Sequence, residues 1–82
     1  MNNKAIYLLA RWLSEQKGGH FEDDPNIEIL EELDSIFKIE QPKHSGKMGK
    51  RMAYAAVIKR VIELDERWAR AAFYDYAKKR EA

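Results

Sequence analysis

The chain has 82 residues, 45% hydrophobic and 35% charged, and no cysteine. That composition suits one folded domain spanning residues 1–82 and excludes disorder, a disulfide framework and a thiolate metal site. The net charge of +1 conceals two opposed halves: residues 1–42 carry nine acids against four bases, and residues 43–82 carry eleven bases against five acids.

Residues 3–17 read as the first helix. Ala5, Ile6, Leu9, Ala10 and Leu13 recur at the three-four spacing of one face, Leu8 and Trp12 widen it, and Tyr7 stands apart. Asn2 or Asn3 can cap the start, and Gly18-Gly19 supplies the exit. The 5–10 apolar run is broken at Arg11 and does not read as a signal peptide. Nor does any apolar run reach the roughly 18 residues of a membrane span. The expected compartment is the cytoplasm.

Asp24-Pro25 predicts the next helix start, with Asp24 as cap and Pro25 in the first helical position. Residues 25–38 then follow, with Ile29, Leu30, Leu33, Ile36 and Phe37 as the inner stripe. Glu22, Asp23, Asp24, Glu28, Glu31 and Glu32 form an acidic surface that complements the helix dipole or meets a basic partner. It lacks the pattern of a calcium loop. Ile39 is expected to turn inward from the second connection, which runs to about residue 46.

Lys43, His44, Gly46, Lys47, Gly49, Lys50 and Arg51 make the best anion-binding candidate, glycines and bases ahead of a helix start. No P-loop pattern is present. Residues 50–80 are almost all helix-forming, with Tyr54, Val57, Ile58, Val61, Ile62, Trp68, Ala69, Ala72 and Tyr76 as the apolar stripe. One helix of that length spans about 46 Å. Asp65 falls inside the stripe, where a carboxylate is costly unless paired, so a bend there competes with continuity. The expected fold is all-α: a small three- or four-helix bundle with a long C-terminal helix open to a bend near Asp65.

Arg60, Arg67, Arg70, Tyr74 and Lys78 share one side of that last helix, either as a contact face or as a solvated face laced by Glu63–Arg67 and Glu66–Arg70 pairs. Phe73 and Tyr74, adjacent and flanked by bases, are hard to bury in one small bundle; with Tyr7 they are the candidate protein-interface residues. His20 and His44 stand alone, no serine lies in a nucleophile motif, and no cofactor, metal or small-molecule substrate is expected. Size, absence of cysteine and split charge resemble the small regulatory proteins of bacteria and phages, a likeness of type that carries no residues over. The expected function is non-catalytic: an adaptor, regulator or inhibitor that binds another protein or a second copy of itself. The alternative is a nucleic-acid-binding module using Lys43, Lys47, Lys50, Arg51, Arg60, Arg67, Arg70 and Lys78.

Overall fold

A computed structural model of the chain describes residues 1–16 and 23–81. The Gly18-Gly19 exit, His20 and Glu22 lie outside the described residues. Three α-helices and one 3₁₀ turn make up the fold, with no strand among the described residues: α1 (Asn3–Glu15), α2 (Ile27–Glu40), the turn Gln41–Lys43, and α3 (Gly46–Glu81).

Asn2 caps α1 through its side-chain oxygen, which accepts the Ala5 N–H at 2.9 Å. α2 starts two residues later than its sequence suggests. Pro25 and Asn26 form a turn, and the Asp24 carboxylate accepts the Asn26 N–H at 2.7 Å, so Asp24 organises the entry from outside the helix. At the other end α2 tightens into the 3₁₀ turn around Pro42. The chain then reverses through Gly46, the one described residue with a left-handed backbone (φ 59°), where glycine pays no steric penalty.

α3 runs through Asp65 without a break. Asp65 is not buried unpaired: its Oδ1 accepts the backbone N–H of Asn2 at 2.7 Å. That bond removes the reason for a bend. α1 and α2 both lie antiparallel to α3, α1 from Asn2 beside Asp65 to Trp12 beside Tyr54, and α2 from Glu32 beside Arg60 to Phe37 beside Tyr54.

The core is small. Ala5, Leu8 and Trp12 of α1, Leu30, Leu33 and Phe37 of α2, and Ala53, Val57, Val61 and Leu64 of α3 are buried. Trp12, Phe37 and Tyr54 form a tilted ring cluster with centroids 5.1–5.9 Å apart. α2 buries the stripe expected of it. α1 turns by part of a helical step, sending Leu8 and Trp12 inward and leaving Ile6 and Leu13 exposed, because its apolar arc is wider than two neighbours can cover. Ile39 is 62% exposed rather than inward: it falls on the outer side of α2, opposite Leu33 and Phe37.

Beyond Trp68, which Lys4 Nζ covers at 4.5 Å, α3 has no helix beside it among the described residues. Residues 69–80 project, exposed except for half-buried Ala77. At about 1.5 Å per residue α3 is about 54 Å long, which accounts for the 55 Å long axis. The radius of gyration is 15.4 Å, against about 12 Å for a compact chain of this length. Tyr76, expected in the core, is therefore exposed: neither α1 nor α2 reaches it.

Candidate interaction surfaces

The acidic segment does not form one surface. Asp24 is 7% exposed, the buried charged residue of the described chain. Its Oδ2 accepts hydrogen bonds from Tyr7 Oη and Arg11 Nε, both at 3.1 Å, and Arg11 also pairs with Glu15. The Asn26 N–H, with Arg11 and Tyr7 behind it, holds the Asp24 carboxyl below the usual carboxylate range against the opposing effect of burial. Tyr7, a sequence candidate for a protein interface, is thereby tied into the fold with half its surface exposed. Asp23, Glu28 and Glu31 remain exposed, while half-buried Glu32 bonds Arg60.

A lowered folded pKa means stability that is complete above the unfolded value, near ~4, and lost as pH falls through the folded value. Asp24→Asn is therefore expected to lower the thermal midpoint at pH 7 and to shrink the wild-type difference between pH 7 and pH 3. Circular dichroism melts at both pH values measure this. An unchanged midpoint at pH 7 would remove Asp24 from any structural role.

The basic segment 43–51 is not an open loop. α3 already starts at Gly46, and Gly49 is buried in its first turn, where an added Cβ would meet the Gln41 carbonyl oxygen at 2.7 Å. This glycine serves the close crossing of the 3₁₀ turn over α3. Lys43 and His44 both face Glu40, each at 3.3 Å, and together they lower the Glu40 pKa, His44 contributing most. Lys47, Lys50 and Arg51 are exposed on the first turns of α3 and pair with no described carboxylate.

The basic face of α3 is divided. Arg60 bonds Glu32 across the α2–α3 contact at 2.9 Å and Glu63 along its own helix at 3.3 Å. Arg70 stands 3.9 Å from Glu66, both well exposed. Arg67 and Lys78 face solvent, and Lys78 lies in the last turn with Lys79 and Arg80, where positive charge complements the helix dipole. The structure thus separates three groups that sequence spacing placed on one face: a structural bridge at Arg60, a loose pair at Arg70, and a basic helix end.

The projecting part of α3 carries the largest exposed aromatic surface: Phe73 at 73%, Tyr74 at 68% and Tyr76 at 63%. Phe73, Tyr76, Ala77 and Arg80 line a shallow open strip along it. Ile6 and Leu13 of α1 and Ile58 and Ile62 of α3 add exposed apolar surface on the bundle itself. Sequence reasoning assigned those four to the core. A strict three-four count through Ala53, Val57, Val61, Leu64 and Trp68 would have centred the buried face correctly and left Ile58 and Ile62 outside.

Among the described residues no group of three or more His, Asp or Glu stands close enough to hold a metal ion, and no helix is long and apolar enough to cross a membrane. These features define a small all-α protein with more apolar surface than its own fold covers. Compared with known proteins, the chain matches no family model, no curated protein and no solved structure.

Proposed function

We propose that this chain is a non-catalytic helical interaction protein, an adaptor, regulator or inhibitor working by protein–protein binding. The observation behind this reading is the projecting end of α3. A helical end of some three turns with no neighbour among the described residues, carrying Phe73, Tyr74 and Tyr76 mostly in solvent, gains little stability within one copy. Clustered exposed aromatics beside arginine are the usual composition of a contact surface. Among the described residues no cleft with convergent nucleophile, base and oxyanion donors accompanies them, and the reading is therefore one of binding. A cytoplasmic setting belongs to the same reading, since a cysteine-free chain is at home in a reducing compartment.

The test compares tagged wild type with the double variant Phe73→Ser/Tyr76→Ser in affinity capture. Both should fold to the same helical content, because neither side chain is packed within the bundle of one copy. Wild type should retain specific protein, its own copies included, that the variant loses. Identical recovery by the two would overturn the proposal.

The nucleic-acid alternative keeps Lys47, Lys50 and Arg51 but loses force at Lys43, Arg60 and Arg70, which already face carboxylates. It predicts retention on DNA or RNA that falls steeply with salt and disappears on charge reversal of Lys47, Lys50 and Arg51. That result would replace the protein-binding reading.

A further inference from the structure

We propose that the apolar stripe of α3 is covered by a second copy of this chain, antiparallel, with the projecting end of each α3 laid along the α1–α3 seam of the other. This rests on the reading of the chain as an interaction protein and names its partner.

Within one copy, α1 lies against the flank of α3 that carries Tyr54 and Asp65. Ile58 and Ile62 continue that flank outward, by one and two turns from Tyr54. On α1, Tyr7 and Arg11 turn toward Asp24, so Ile6 and Leu13 fall on the other flank, toward α3. The four make an apolar lip along the outer side of the seam. Phe73 and Tyr76 prolong the same stripe: at about 100° per residue, Phe73 lies nearly on the Ile62 meridian and Tyr76 on that of Ile58.

Three features make this stripe complementary to itself. The first is length. The projecting end, residues 69–80, and α1, with 13 residues, are about 18 and 20 Å long. The second is charge. An antiparallel register that sets Phe73 on Ile62 of the second copy, and Tyr76 on Ile58, brings Glu66 opposite Arg70 of the second copy, twice by symmetry. Those two side chains are 3.9 Å apart within a copy and mostly exposed, free to exchange an internal partner for an external one. Ala69, nearest the twofold axis on this stripe, adds no bulk between the two helices.

The third is area. Ile6, Leu13, Ile58, Ile62, Phe73 and Tyr76 expose between 41% and 73% of their surfaces. With full surfaces of about 150–250 Å² for side chains of this size, that is roughly 600 Å² per copy, enough for the lower end of specific interfaces. The arrangement is isologous and closes at two copies, so it predicts a dimer and no larger assembly.

Sedimentation of the full chain should show a dimer in the micromolar range. Glu66→Arg and Arg70→Glu should each weaken it about tenfold through two like-charge contacts, and an equimolar mixture of the two should restore a heterodimer. The absence of native cysteine permits a positional readout. Lys59→Cys mixed with Ala77→Cys should give a disulfide-linked pair under mild oxidation, while each alone should not. Cross-linking of like with like would overturn the antiparallel register while leaving self-association in place. A monomer at every concentration would overturn this inference alone, because loss of captured protein in the Phe73→Ser/Tyr76→Ser variant would still support binding to a different partner.

Discussion

Trp12→Ala is expected to abolish cooperative unfolding or to lower its midpoint by about 15–30 °C. Trp12 is fully buried and its indole joins all three helices through Phe37 and Tyr54. Truncating a buried tryptophan costs about 3–5 kcal/mol, against a total of about 4–12 kcal/mol for a chain of this length. At about 4–8 °C per kcal/mol, a domain this small has little reserve. Among the described residues its ring partners are Phe37 and Tyr54, each held on a different helix, so the gap does not close without moving a helix. Trp12→Phe should be mild, less than about 1.5 kcal/mol. It keeps the ring stack and removes an indole N–H that is buried without a hydrogen bond. Melts followed by circular dichroism at fixed protein concentration separate the two variants. A Trp12→Ala midpoint equal to wild type would refute the core assignment.

The second large effect is Gly49→Ala, and its sign is informative. Inside a helix alanine is favoured over glycine by about 1 kcal/mol. Propensity alone therefore predicts stabilisation. The structure predicts the reverse, because the new Cβ would stand 2.7 Å from the Gln41 carbonyl oxygen and 3.1 Å from that of His44. Both are backbone atoms of the crossing turn and cannot rotate away. A net loss of about 1–3 kcal/mol is expected as the turn is forced off α3. Gly46→Ala has open space around the new methyl group and suffers only from the left-handed backbone, about 1 kcal/mol. Urea midpoints of the two variants should therefore differ, with Gly49→Ala the lower. A raised midpoint for Gly49→Ala would show that the turn does not approach α3 so closely.

These residues show where sequence pattern was enough and where it was not. Asn2 as a cap, the stripe Leu30, Leu33 and Phe37, and the register of Val57 and Val61 follow from local rules, because capping and three-four spacing involve residues within one or two turns. Gly49 was read as part of an anion loop because a glycine between lysines has that meaning when no second segment crosses it. The crossing by Gln41 is not local. Asp65 was ambiguous for the same reason: its partner, the Asn2 N–H, lies 63 residues away along the chain. Asp24 was placed on a solvated surface since its neighbours are acidic, yet Tyr7 and Arg11 reach it from another helix.

The candidate surface was half legible. Phe73 and Tyr74 stood out because an adjacent aromatic pair fits no single helical stripe. Ile6, Leu13, Ile58 and Ile62 did not, because an apolar residue near a stripe is counted as core until the number and reach of its neighbours are known.

The amino-acid order alone determined an all-α chain with no stapling cysteine, two punctuated connections, an adjacent Phe73-Tyr74 pair that fits no single stripe, and charge divided between its halves. These follow from periodicity and composition, which a helix expresses by itself. Only tertiary structure decided that α3 is one unbroken rod, that its last three turns outrun both neighbours, and which face of α1 turns inward. Each depends on where a second helix begins and stops alongside the first, a relation between distant segments that no local spacing encodes.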